Sequence, residues 1–183
     1  MIEVRAMKLG DVATVSALRV TGWRAAYADI VPHGYLAAMS ADEDAPRRRD
    51  RFRSPANPVD NLVATDTTGA VIGWAALGPL PEPASGELLA LYVLPDRIGS
   101  GVGRLLLDAV RSRATARGFH RLDLWVLAAN TRARRFYERS GFTPDGAERT
   151  ETYDGVPLQD VRYVGPATAP GNEEAPYRRG NRR

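Results

Sequence analysis

Residues 97–104 read RIGSGVGR, set between an apolar run at 87–95 (ELLALYVLP) and a segment, 104–117, whose apolar residues recur at helical spacing. Gly99, Gly101 and Gly103 let backbone N–H groups close on an anion, and the dipole of a following helix adds partial positive charge at the same place. The run from Glu87 to Leu94, bounded by Gly86 and Pro95, is short enough to favour a buried strand over a helix. Arg104 to Arg117 predicts a helix with Leu105, Leu106, Ala109 and Val110 inward and Gly118 as its stop, and Leu122 to Leu127 predicts a second buried strand. Strand, glycine loop, helix and strand make a βαβ unit with two parallel strands and a right-handed crossover. The loop is not a Walker loop, because no GK[ST] ends it. It also fails the dinucleotide fingerprint: the third glycine position holds Leu106, and the next acid, Asp123, falls inside a strand.

Working outward from this unit, residues 2–7 alternate as a strand, and Asp11 to Ile30 forms one helix stopped by Val31-Pro32. Residues 34–53 predict a further helix, with Ser40 and Glu43 as a capping box and Glu43/Arg47 and Asp44/Arg48 as i,i+4 pairs. Leu62 to Thr65 and Ala70 to Leu77 flank the Thr68-Gly69 turn as a hairpin. Asn130 caps a helix over 131–140 that Gly141 ends. Glu148 to Tyr153 and Gln159 to Val164 close the fold as a hairpin about Asp154-Gly155. The expected class is α/β (α+β): one domain with a mixed, largely antiparallel sheet, a central parallel βαβ unit and flanking helices.

The 183 residues suffice for one domain with a real core. With no cysteine, disulfides, thiolate metal sites and a cysteine nucleophile are excluded, and His33 and His120 are too few for a histidine metal site. No metal is expected. Residues 167–183 carry four arginines against Glu173 and Glu174, so most of the formal +3 charge sits in the tail. The nearly neutral body disfavours nucleic-acid binding. Apolar runs reach only about ten residues, against the roughly 20 of a membrane span, and the amino terminus lacks a secretory h-region. A cytoplasmic protein is expected, with a domain over 1–165 and a disordered basic tail over 166–183.

Downstream of the loop the chain reads NTRARRFYERSGF over 130–142. Together with ELLALYVLP and the glycine loop, this segment resembles the GNAT superfamily of acyl-CoA-dependent N-acetyltransferases. The resemblance spans residues 2 to about 164 and departs at one position: Ile98 stands where the family has Gln or Arg, and Arg97 comes one residue early. It implies acetyl-CoA as cosubstrate. The main chain of Leu91, Tyr92 and Val93 would meet the pantetheine arm between the two parallel strands. Gly99, Ser100, Gly101, Val102, Gly103 and Arg104 would hold the pyrophosphate. Asn130 would bond the arm, Ala133 would leave room for it, and Tyr137 would stand near the thioester sulfur. Asn130, Ala133 and Tyr137 share one helical face, which agrees with these roles.

Thioester aminolysis needs a neutral amine, a stabilised oxyanion and a proton for the departing thiolate. Tyr137 is the candidate acid. Glu87, a carboxylate entering a buried strand, is the candidate base, directly or through water. Outside this context Tyr137 reads as a core aromatic and Glu87 as an exposed strand-end acid. Without cysteine, transfer would be direct, within a ternary complex. The resemblance implies Trp23, Tyr27, Tyr35 and Tyr153 as walls for the acceptor, a small-molecule or peptide amine, and it also allows a homodimer. An acyl-CoA-binding regulatory domain without turnover is the alternative reading.

Overall fold

A computed structural model describes residues 1–168. The proposed tail, beyond its first three residues, lies outside them. The elements are β1 (Glu3–Ala6), α1 (Val12–Ala26), α2 (His33–Ala38), α3 (Ala41–Arg53), β2 (Asp60–Thr65), β3 (Val71–Pro79), β4 (Ser85–Val93), α4 (Val102–Ala116), β5 (Arg121–Leu127), α5 (Thr131–Arg139), β6 (Thr143–Tyr153) and β7 (Val156–Pro166). They form one seven-stranded sheet in the order β1-β2-β3-β4-β5-β7-β6. Only β4 and β5 run parallel, as the βαβ reading requires; every other pair is antiparallel.

Each sheet face carries its own apolar layer. On one, Leu106, Leu107, Val110 and Ala114 of α4 pack on Leu122, Leu124, Phe142 and Tyr163. On the other, Val12, Val15 and Leu18 of α1 pack on Val63, Trp74 and Ala76. The two layers grip the strands from both sides, at about 25 cal/mol for each Å² of apolar surface removed from water.

The parallel pair is short. It joins Ser85, Gly86 and Glu87 to Arg121, Leu122 and Asp123 and then stops. Directly beyond, β4 bulges: Ala76 pairs with Ala90 and Leu77 with Leu88, so Leu89 has no partner on β3. A bulge bends and twists its strand. Here it lies where β4 parts from β5, and the sheet opens into a cleft.

Several expectations change in detail. α1 ends at Ala26 instead of Ile30, because Tyr27 leaves helical geometry (φ −120°, ψ 14°) and residues 27–31 form a tighter turn. The expected helix over 34–53 is two helices. Met39 and Ser40 are extended, and the Ser40 hydroxyl, accepting from the Glu43 amide at 3.3 Å, starts α3 afresh. A cap signal inside a predicted helix thus marks a boundary. In α4, Leu105 is exposed and Leu107 takes its place in the core, because helical phase turns Val102, Leu106, Leu107 and Val110 inward together. The closing strands reach 143–153 and 156–166, longer than expected. Chain order continues past residue 165: Ala167 is buried and its amide donates to the His120 carbonyl at 3.0 Å.

Candidate active site

The cleft between the parted strands holds about 690 Å³. Its wall is the free edge of β4. The Leu94 amide donates to the Ile72 carbonyl at 3.0 Å, which fixes the alternation of the β3–β4 ladder. Tyr92, opposite Trp74, therefore turns its N–H and C=O toward β3, whereas Leu91 and Val93 turn theirs into the cleft. This corrects one expectation: Tyr92 has no main-chain group to offer there, and contributes only its side chain. Its ring stacks on Trp74 (centroids 5.8 Å apart, 10° between planes), and its hydroxyl accepts from Trp23 Nε1 at 2.8 Å.

At one end of the cleft the glycine loop turns into α4. Gly99 and Gly101 both have φ near +85° (85° and 88°), a region closed to most side chains, and Gly101 is the N-cap. A glycine cap has no side chain to satisfy the helix start. The first helical bond runs from the Leu105 amide to the Gly101 carbonyl, so the N–H groups of Val102, Gly103 and Arg104 precede the ladder and remain available as donors. Gly103 differs from the other two. Its backbone is ordinary, and an added Cβ would meet Phe136 at 3.6 Å, normal contact, so the fold alone does not demand glycine there. Ser100 does not line the cleft, because its hydroxyl donates back to the Arg97 carbonyl at 2.6 Å. The Val102 side chain is fully buried in the core and leaves only its amide for a ligand.

Arg97, Arg104, Arg132, Arg135 and Arg139 all line this cleft, with Ile98 among them, and no aspartate or glutamate does. Arg97, although one residue early, faces the same space. Arg104 has only a long, exposed contact with Asp108 (3.8 Å), and Arg132, Arg135 and Arg139 make no ion pair among the described residues. Arg97 has an exposed contact with Asp96 at 3.4 Å, and the other guanidiniums, largely uncompensated beside free helix amides, suit a phosphate-bearing ligand. The α5 arginines were missed from sequence. Their i, i+3, i+7 spacing, on the face that also carries Phe136, was the signal that could have found them.

Asn130 starts α5: its Oδ1 accepts from the Ala133 amide at 3.1 Å, which leaves Nδ2 as its remaining donor. Asn130, Ala133 and Tyr137 all line the cleft, as their shared helical face predicted. Tyr137 is buried, packed edge-on against Phe136 (5.2 Å) and Phe142 (6.0 Å), and its hydroxyl makes no hydrogen bond among the described residues. Burial, reinforced by Tyr92, pushes its phenol well above the ordinary tyrosine range, so it holds its proton at neutral pH. Tyr27 reaches the same cleft, its phenol likewise raised by burial and by Tyr92 and Tyr137, with Asn130 favouring the ionised form.

Glu87 stands just outside the cleft lining. It lies opposite Asp123 at the closed end of the parallel pair, half-buried. Burial raises its carboxyl above the usual range, Arg149 opposes this, and Asp123 adds to it. On the same face Trp125 lines the cleft, with the Arg149 and Arg162 guanidiniums 4.5 and 5.7 Å from its ring. The expected acceptor walls mostly close on themselves. Trp23, Tyr27, Tyr35 and Tyr153 sit with centroids 4.8 to 6.1 Å apart, which is direct contact and leaves no space between rings. Of the four, only Tyr27 lines the cleft. Burial and the nearby Asp160 push the Tyr153 phenol up to about 12.

Comparison with known proteins bears on this geometry. The profile of the acetyltransferase (GNAT) family matches residues 23–142. The chain is 32% identical over 165 residues to the "Uncharacterized N-acetyltransferase YuaI" of Bacillus subtilis, covering 88% of this chain and 91% of that protein. It is 39% identical over 121 residues to a mycothiol acetyltransferase of Propionibacterium freudenreichii, covering 64% of this chain and 37% of that protein, so it spans little more than a third of that relative. The PaiA N-acetyltransferase of Thermoplasma acidophilum, solved with coenzyme A, superposes with a TM-score of 0.75 at 22% identity, over 91% of this chain and 99% of that one. At that identity the likeness is one of fold.

Proposed function

The chain belongs to the GNAT family of acetyltransferases, and from that premise we propose that it moves an acetyl group from acetyl-CoA to a primary amine by direct attack in a ternary complex. The observation that carries the reading is the two-ended cleft. One end offers free helix amides and five arginines, the other a proton-bearing tyrosine, and the free N–H and C=O groups of Leu91 and Val93 run between them. A diphosphate joined by an amide-containing arm to a thioester has the matching order of groups.

In this reading the amides of Val102, Gly103 and Arg104, with the arginines, hold the pyrophosphate, and Leu91, Val93 and Asn130 Nδ2 bond the arm. Ile98 contributes apolar contact where its resembled family has a polar side chain. The amine nitrogen bonds to the acetyl carbonyl carbon, the carbon–sulfur bond breaks, and the thiolate takes the Tyr137 proton. An N–H of the β4 edge meets the oxygen that gains charge. The amine's proton leaves through water to Glu87, which lies beside the site and not within it. The protein would act in the cytoplasm on a small-molecule or peptide amine, without a metal.

A second reading, an acyl-CoA-binding regulatory domain, is favoured by one observation: no carboxylate lines the cleft. One experiment separates the two. Acetyl-CoA at one hundred times its Kd should stabilise the protein by about 2.7 kcal/mol under either reading. Release of free thiol with a panel of primary amines should follow only under acetyl transfer. A melting temperature unmoved by acetyl-CoA overturns both.

A further inference from the structure

A second pocket, of about 340 Å³, opens on the α1/α3 face of the sheet and meets the main cleft at Leu89 and Ala90, which border both. It stands at the bulge of β4, where the sheet begins to part. Its floor is aromatic: the Arg48 guanidinium lies 4.4 Å from the Trp74 ring centre. Its charge is lopsided, since Arg19, Arg48 and Arg51 line it against Asp44 alone.

Asp44 is occupied. It accepts from the Ser16 hydroxyl at 2.8 Å and from Arg48 Nε and Nη2 at 3.1 and 2.9 Å, while Arg19 reaches it only at 3.8 Å. Arg48, nine-tenths buried, spends Nε and Nη2 on this network, and its Nη1 makes no hydrogen bond among the described residues. Arg51 makes no ion pair among them either. Arg48 Nη1 thus remains a donor that no described protein group takes, and the exposed Arg51 guanidinium beside it has no acidic partner among the described residues, so the pocket presents uncompensated positive charge to an anion. Arg48 is held below the ordinary arginine range by burial, and Arg19 and Arg51 add to that displacement.

We infer that this pocket is an acceptor subsite that receives an anionic group, a carboxylate or a phosphate, carried by the amine to be acetylated. The inference rests on the acetyl-transfer reading and adds the substrate's charge to it. Arg48 Nη1 and Arg51 meet the anion, the exposed Leu89 side chain flanks the carbon chain, and the amine extends past Ala90 toward the cleft. The amine end makes no ion pair in the cleft, and the proton it must lose before attack leaves through water to Glu87.

The test is steady-state acetylation of matched amines by the full chain: amino acids against their amides, and phosphoethanolamine against ethanolamine. The anionic member of at least one pair should have a kcat/KM about tenfold or more above its neutral twin, the scale set by leaving a polar site unpaired. The two pairs distinguish carboxylate from phosphate. Arg51→Ala should raise the KM of the anionic amine about tenfold while kcat, the KM for acetyl-CoA and the neutral amine's kinetics stay unchanged. Arg51→Lys should restore much of the loss. Turnover with no charge preference, or an Arg51→Ala defect equal for both twins, overturns this inference and leaves acetyl transfer standing. No turnover with any amine overturns both.

Discussion

The main cleft and the smaller pocket that shares Leu89 and Ala90 with its lining are made of different material. The loop end of the cleft, which we propose holds the pyrophosphate, is built largely from backbone: helix amides, two glycines at positive φ and a strand edge left free by a bulge, with arginines of the loop and α5 around them. The smaller pocket, which we propose receives the acceptor's anion, is built from side chains of α1, α3, β2, β3 and β4, held in place by the Ser16–Asp44–Arg48 network and the Trp74–Tyr92 stack. Backbone sites depend on local sequence and on where glycine falls, whereas side-chain sites depend on distant elements coming together. The first kind should therefore tolerate changes to its side chains and fail when its open space is filled. The second should fail when a single buried partner is removed.

Tyr137 lines the cleft at the end opposite the glycine loop, and changing it should have the largest effect. Tyr137→Phe keeps the ring packed on Phe136 and Phe142 and removes only the proton. We expect kcat to fall by about 10² to 10⁴, the usual range for a general acid, with acetyl-CoA affinity little changed. Rapid-quench or thiol-release kinetics beside calorimetric binding would check this. An unchanged kcat would reduce Tyr137 to a wall of the cleft.

Next comes Asp44, in the smaller pocket. Asp44→Ala leaves Arg48 buried without its carboxylate and should cost about 1.5–3 kcal/mol of folding stability, the range for hydrogen bonds to charged groups. The pH dependence has a defined sign. Burial opposes ionisation of Asp44, but the Ser16 hydroxyl and the Arg48 guanidinium outweigh it and hold the carboxyl below its ordinary range. Its contribution is therefore complete above the ordinary aspartate range and is lost as pH falls through the depressed folded value. Denaturant titrations should show the gap between wild type and variant narrowing toward acid. A constant gap would mean the loss is one of packing alone.

Gly103 tests the loop end with opposite signs in two measurements. Gly103→Ala should raise helix stability by up to about 1 kcal/mol, since the backbone is helical and the new Cβ finds ordinary contact with Phe136. It should also weaken acetyl-CoA binding about tenfold or more, because the methyl occupies space that the loop keeps open. A variant that gains stability and keeps its affinity would show that the ligand does not approach this backbone.

The same division governs what could be read from sequence. The βαβ unit, the glycine loop and the Asn130–Ala133–Tyr137 face follow from short-range spacing, and the structure brings them together. The ladder phase that turns Tyr92 away from the cleft depends on where β3 pairs, which no spacing within β4 reveals. The split at Met39–Ser40 is visible in the sequence as the Ser40–Glu43 capping box, which marks a helix start and not a helix interior. The Arg48–Trp74 contact joins residues from α3 and β3, and in the sequence Arg48 reads only as the i,i+4 partner of Asp44. The aromatic residues that the resemblance implies as acceptor walls do come together, but their contact distances fill the space a ligand would need.

Glu87 gives the smallest and most discriminating effect, because it lies beside the cleft. It does not line the cleft, so any proton it takes must come through water, and Glu87→Gln should change kcat/KM by no more than about tenfold to a hundredfold, the lower part of the general-base range. The defect has a window. Burial raises the Glu87 carboxyl, so at acid pH it is protonated in the wild type as well, and the two enzymes should converge there. At alkaline pH, near the pKa of about 10 of a lysine-like amine, the nucleophile is already neutral and needs no base, so they should converge again. Between these limits the carboxylate is ionised while the amine is still an ammonium, and only there should the wild type lead. A defect that instead appears as a raised acceptor KM, at unchanged kcat and at every pH above the Glu87 titration, would mean the carboxylate attracts the ammonium without accepting its proton. Superimposable profiles for the two proteins would remove Glu87 from the reaction and leave solvent as the base.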